Sequence, residues 1–158
     1  MEVSMERERK LQRYRRIGEQ LASLLSKTKD PVARMATAAA LLHAKMPGFS
    51  WTGFYLLRDG ELTVGPYQGP LACLVLEPHR GVCWAAVDRG ETVVVEDVHA
   101  FPGHIACDPR SRSEIVVPLR RPDGRVVGVL DIDSYHPAHF DAADREGLEA
   151  IVAQLLAG

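Results

Sequence analysis

The side chains best suited to chemistry lie in one stretch. Asp97-Val98-His99-Ala100-Phe101-Pro102-Gly103-His104-Ile105-Ala106-Cys107-Asp108 is a polar, turn-prone loop with two histidines and a cysteine beside an acid. Through Ser113-Glu114 it leads into the apolar run Ile115-Val116-Val117. A reactive group on a loop anchored by a strand is a common functional arrangement. Cys107 is therefore read as a redox nucleophile. The chain has 3 cysteines, Cys73, Cys83 and Cys107, and no pair has CxxC spacing. An odd number argues against a stapled secreted scaffold. In a reducing compartment such residues are buried small hydrophobes, metal ligands or catalytic thiols. Cys83 falls near the start of a short helical stretch, where free N–H groups and the dipole are expected to lower a thiol pKa.

Acids are placed by strand register. Ile115 to Leu119 and Val126 to Asp133 read as two strands joined at Arg121-Pro122-Asp123-Gly124, a strong hairpin signal. With a two-residue loop at Asp123-Gly124, Glu114 faces Asp133 and Val116 faces Asp131. With a four-residue loop, Glu114 faces Asp131 instead. Either way Glu114, Asp131 and Asp133 share a face, because opposed residues and i, i+2 residues do. A three-residue or bulged loop would break this. Three close carboxyls cannot all ionise cheaply, so one should stay protonated at neutral pH. Ionised members could hold a cationic amine, and the protonated one could give a proton to a leaving oxygen. Alternatively the acids line a solvated face or pair with Arg110, Arg112 and Arg125. A metal site with His99, His104 and Asp108 as further ligands is a third option, at a spacing matching no standard ligand pattern.

The remaining elements must hold this site. Residues 1–10 are highly charged and read as a fraying tail, with the domain spanning 11–158. Leu11, Tyr14, Gly18, Leu21 and Leu25 recur at helical steps. Asp30-Pro31 restarts a helix with an N-cap acid and a first-turn proline, and Pro47-Gly48 stops it. Ser50 to Leu57 alternates as a strand with Trp51 and Tyr55 on one face, read as core or as an aromatic wall around a small ligand. Asp59-Gly60 turns it into a return strand, Leu62 to Pro66. The chain is then irregular to Arg80, helical from Gly81 to Asp88, and extended from Thr92 to Val95. Pro118 cannot donate to a ladder, so its N side should face an edge or bulge. Phe140-Asp141 opens a last helix with Leu148, Ile151, Val152 and Leu155 on its buried stripe. This order gives a single α+β domain: an antiparallel sheet flanked by N-terminal helices and a C-terminal helix.

Bulk properties exclude several functions. In 158 residues the net charge is -2, which gives no electrostatic case for nucleic acid or an anionic membrane. No apolar run approaches the roughly 18 residues of a membrane span. The charged N-terminus is not followed by an apolar run, as a signal peptide would be, so the cytoplasm is the expected compartment.

Several motifs together carry a resemblance. They are Trp51-Thr52-Gly53-Phe54-Tyr55, Gly65-Pro66-Tyr67-Gln68-Gly69, Gly81-Val82-Cys83, the loop Asp97 to Asp108, Ser113-Glu114-Ile115-Val116-Val117-Pro118-Leu119 and Gly128-Val129-Leu130-Asp131-Ile132-Asp133-Ser134. In these the sequence resembles the free methionine-(R)-sulfoxide reductases, small enzymes with a GAF-domain fold, over about residues 11–156. The resemblance implies reduction of the free sulfoxide, with Cys107 as nucleophile, Cys73 as resolving cysteine and Cys83 as a third thiol able to join disulfide exchange. It implies that Glu114, Asp131 and Asp133 bind substrate and assist loss of oxygen, with Trp51 and Tyr55 around the methyl group. It further implies a homodimer with no bound cofactor, recycled by thioredoxin with electrons ultimately from NADPH. Two stretches depart from the family pattern. His79-Arg80-Gly81-Val82-Cys83-Trp84 stands where Gly-Arg-Gly-Val-Cys-Gly is usual, and Pro70-Leu71-Ala72-Cys73 stands where Lys-Pro-Ala-Cys is common. Two rival readings are a GAF-type ligand sensor without catalysis and a thiol peroxidase or redox sensor using the same cysteines.

Overall fold

Side-chain alternation along the central strands divides the molecule into two layers of different character. The computed structural model describes residues 2–104 and 107–157, with side chains from Met5 onward; Ile105 and Ala106 of the cysteine loop lie outside the described residues. Six strands form one antiparallel sheet: β1 (Trp51–Arg58), β2 (Glu61–Gln68), β3 (Val75–Leu76), β4 (Val93–Val95), β5 (Ser113–Arg120) and β6 (Val126–Ser134). Their spatial order is β3-β2-β1-β6-β5-β4.

One face packs on α1 (Glu2–Leu25), α2 (Pro31–Lys45) and α4 (Ala142–Leu155). Phe54, Ile115, Leu130 and Ile132 from the strands meet Leu21, Leu42, Leu148 and Ile151 from the helices, all at most 1% exposed. The caps read from the sequence are in place. Asp30 accepts from the Ala33 N–H at 3.2 Å, and Pro31 is the first residue of α2. Asp141 and Asp144 form a reciprocal capping box on α4. That box also clasps α1, since the Tyr14 hydroxyl donates to Asp144 at 2.6 Å and Lys10 Nζ to the same carboxylate at 2.8 Å. This clasp bears on the N-terminal residues expected to fray. They continue α1 as far as Glu2, because Lys10 has a fixed partner on α4.

The opposite face carries α3 (Gly81–Arg89) and the two loops that hold Cys73 and Cys107. Here Val93, Val95, Val116 and Val129 pack with Val82 and Trp84.

Both hairpins are instructive. Asp59 and Gly60 both take positive φ, 51° and 79°, the signature of a two-residue type I′ turn, and Arg58 pairs with Glu61. The β5–β6 hairpin differs from the simple count. Arg121 N–H donates to Arg125 O, which leaves a three-residue loop. Arg120 pairs with Val126 but Leu119 with Gly128, so Val127 is an extra, bulged residue. The odd loop and the bulge cancel, and the pairs beyond are Val116 with Asp131 and Glu114 with Asp133. A loop and a bulge that would each turn the acids to the other face together restore their register. Strand β4 stops at Val93 opposite Val116, so Pro118 sits where nothing asks for its missing N–H. Strand β2 continues past Pro66 to Gln68, because a register irregularity opposite Gly53–Tyr55 accommodates the proline. The two-residue β3 fell inside the stretch read as irregular.

Candidate active site

The site is built on the face of β1, β6 and β5 turned away from the three long helices. Glu114 stands directly opposite Asp133, and Asp131 lies two residues along the same strand. On the other side of β6, Trp51 pairs with Asp133 and Gly53 with Asp131. The aromatic residues at positions 51 and 55 therefore share the acids' face. A Cβ at Gly53 would overlap Tyr67 and Trp51, so glycine lets the aromatic rings close over β1. Trp51 stacks on Tyr67 at 5.1 Å and on Tyr55 at 5.8 Å. Sequence reasoning gave Tyr67 no role; its signal was its place in the motif around Gly65-Pro66.

Both aromatic residues also hold the loop above them. Trp51 Nε1–H donates to Pro70 O at 3.1 Å, and the Tyr55 hydroxyl donates to Cys73 O at 3.0 Å. Cys73 is thereby fixed over the acids, where it is bonded to Cys107, with Cα atoms 5.6 Å apart. Cys107 of this disulfide lines a cavity that also has Glu114, Asp131 and Asp133 in its lining, with Trp51 and Tyr55 on one wall.

Glu114 and Asp131 are 6% and 5% exposed, and Asp133 is half-buried. Among the described residues no lysine or arginine pairs with any of the three. Arg110 instead forks onto Asp108 at 3.0 and 3.2 Å, and Tyr135 also donates to Asp108, holding that carboxyl below its ordinary value. Arg112 is exposed. Burial pushes Glu114 well above the usual carboxylate range, and the charges of Asp131 and Asp133 push it further. Asp133 is raised well above its ordinary value by burial and then by Asp131. Asp131 is raised by burial, against which contacts from Glu114 and Cys83 favour its charged form. Glu114 and Asp133 are thus the members raised furthest, and Asp131 is the one that most readily carries charge. Tyr55 is likewise raised, by burial and then Asp131, so its hydroxyl stays a donor.

Cys83 requires a correction. It lies in the first turn of α3, as expected, but the helix end does not lower its pKa. Burial pushes the thiol well above its ordinary value, and Asp131, Glu114 and Asp133 add to the effect. A partial charge at a helix terminus is outweighed by desolvation and three nearby acids. Cys83 is the free cysteine, and its Sγ lies within 4.8 Å of carboxylate oxygens of Glu114 and Asp131. Among the described residues this trio is the set with metal-ligand proximity, and His99, His104 and Asp108 do not form one. His104 lines the cavity beside Cys107; burial, then His99, lowers its pKa and keeps it neutral.

Known proteins resemble this chain in sequence and in fold. The GAF domain family matches residues 28–157. The free methionine-R-sulfoxide reductase of Escherichia coli K12 is 43% identical over 142 residues, covering 90% of this chain and 86% of that protein. The chain belongs to the GAF-domain family of free methionine-(R)-sulfoxide reductases. The X-ray structure of the Neisseria meningitidis enzyme in complex with its substrate is similar, with a TM-score of 0.85 at 46% identity over 90% of this chain and 85% of that one. The reduced form of the Staphylococcus aureus enzyme gives a TM-score of 0.86 at 45% identity, over 90% of this chain and 92% of that one.

Within this family the two departures at His79 and Trp84 turn out to touch. His79 takes the left-handed φ of 59° where the family pattern has glycine. Its ring lies 4.5 Å from that of Trp84, and its Nδ1 is 3.0 Å from Asp88. Ring contact and carboxylate together offset the strain of a side chain at positive φ.

Proposed function

We propose that this reductase converts free methionine-(R)-sulfoxide to methionine through Cys107, with Cys73 as resolving thiol and Glu114, Asp131 and Asp133 as the acid group. The observation that carries the reading is the Cys73–Cys107 disulfide standing over buried acids that lack any cationic partner among the described residues. It is the product expected of the last chemical step.

A sulfoxide sulfur becomes electrophilic when its oxygen is protonated or strongly hydrogen-bonded. Glu114, held protonated by burial and its neighbours, supplies that proton. The Cys107 thiolate attacks sulfur to form a Cys107–sulfur bond, and the protonated oxygen leaves as water. A water then attacks the Cys107 sulfur, breaking that bond so that methionine leaves and Cys107 is left as a sulfenic acid. The Cys73 thiol then attacks the Cys107 sulfur, expelling water and forming the disulfide. Asp131 and Asp133 hold the substrate ammonium, and Trp51 and Tyr55 wall its methyl group. A dithiol protein, thioredoxin, restores both thiols by exchange, with electrons ultimately from NADPH and no cofactor bound to this chain.

The enzyme is read as a cytoplasmic homodimer. Supporting the dimer is an outward apolar face on α1 and α2, with Leu24, Ala36, Ala40 and Leu41 at its centre. No helix of the described residues is long and apolar enough to cross a membrane. The deciding experiment incubates the reduced protein with resolved R and S sulfoxides and counts free thiols by mass spectrometry. Loss of two thiols with R alone is expected. Loss with S, or no loss with either, overturns the reading, as does faster consumption of peroxide.

A further inference from the structure

We propose that Cys83, Glu114 and Asp131 form a site for a thiophilic divalent cation of the zinc class, and that this cation competes with the substrate ammonium for the acids. The cation-binding half stands on geometry alone; the competition half rests on the function proposed above.

One sulfur and two carboxylate oxygens, from α3, β5 and β6, lie within 4.8 Å of one another. Ligands around a tetrahedral zinc-class ion are about 3.5 Å apart, so a side-chain shift of about 1 Å closes the set. All three residues are at most 6% exposed, and all three line the cavity that Cys107 also lines. A second observation points to a ligand here. Asp131 Oδ1 is fully buried with no backbone or cationic donor on it, its only polar neighbours among the described residues being the other two members of the trio, whereas buried polar atoms are nearly always satisfied. Asp133, in contact with Glu114, is a further carboxyl beside the set. Once an ion has displaced the protons of Cys83 and Glu114, the donor set is one thiolate with two carboxylates, which selects zinc-class ions over magnesium or calcium. A dication resolves what the protein otherwise resolves with protons, the crowding of like charges in a dry place.

This chain provides its own clean background for the test. With Cys73 and Cys107 joined, Cys83 is the one thiol left among the 3 cysteines. Oxidised protein is titrated with Co²⁺ by absorbance and with Zn²⁺ by calorimetry. The expected result is one ion per chain with a near-ultraviolet thiolate-to-cobalt band in the unmutated protein. Cys83→Ala should remove the band, and Glu114→Gln should weaken binding about 10-fold or more. In turnover, Zn²⁺ should raise KM for the sulfoxide and leave kcat unchanged. Absence of binding below 100 µM, binding without the band, or equal binding by Cys83→Ala overturns the site. Because the unmutated protein carries the spectroscopic readout, a variant that fails to fold does not blunt the test. Binding with the band but no effect on KM overturns the competition while the cation site stands.

Discussion

The two faces of the sheet share strands yet are held together by opposite means. On the helix side, Phe54, Ile115, Leu130 and Ile132 are closed over by α1, α2 and α4, and the charged groups stay at the rim, where Lys10 meets Asp141 and Asp144. On the other side, alternate residues of the same strands are Glu114, Asp131 and Asp133, buried without a cation among the described residues. The first face lowers the free energy of the fold. The second spends some of it, since burying acids together is unfavourable unless they hold protons or a ligand. Changes on one face should therefore strike stability, and changes on the other should strike activity.

The largest effect is expected at the disulfide. Cys107→Ser should lower turnover roughly 10⁴-fold or more and abolish loss of Cys73 thiol on adding the R sulfoxide, measured in a single turnover. Glu114→Gln should lower kcat roughly 10² to 10⁴-fold. It should leave thermal stability equal or higher, because it removes a buried acid from a crowded group; a large fall in melting temperature would refute the contrast between the faces. The mirror experiment is Ile132→Ala, which should cost about 2–5 kcal/mol in denaturant unfolding while the folded fraction keeps its kcat/KM.

The pH dependence of stability should also differ in sign between the faces. Glu114 and Asp133 have folded pKa values raised above their unfolded ones, so their contribution is greatest below the ordinary carboxylate range. It is lost as pH rises from about 4.5 through the raised values. Asp141 is held below its ordinary value with help from Lys10, so its contribution is present above pH 3.8 and lost as pH falls. Unfolding free energy measured from pH 5 to 8 should fall for the unmodified protein and flatten in Glu114→Gln. The smallest effect is at a helix end, where Asp30→Ala should cost about 1 kcal/mol and leave activity untouched.

Much of the helix face was legible. Caps at Asp30 and Asp141 and the stripe Leu148, Ile151 and Leu155 are local patterns, and local rules placed them. The return strand past Pro66 and the two-residue β3 were missed, because an irregular register and a short edge strand leave little pattern. Convergence of Glu114, Asp131 and Asp133 was legible from a count along a hairpin, although the loop assumed in the count was wrong. The register survived because a one-residue slip would bury all three acids against α1, α2 and α4 and turn Ile115 and Ile132 outward. Loop and bulge obey that demand.

The sequence by itself determined which residues alternate and where helices begin, since these depend on neighbours along the chain. Tertiary structure alone decided the states of the reactive groups. Cys83 looked activated by its helix and is instead a high-pKa thiol, because α3 sets it against acids from β5 and β6. Trp51 and Tyr55 looked like wall or core, and they also hold the Cys73 loop, Trp51 at Pro70 O and Tyr55 at Cys73 O. Protonation depends on desolvation and on distances between segments remote in sequence, and those exist only once the layers have closed.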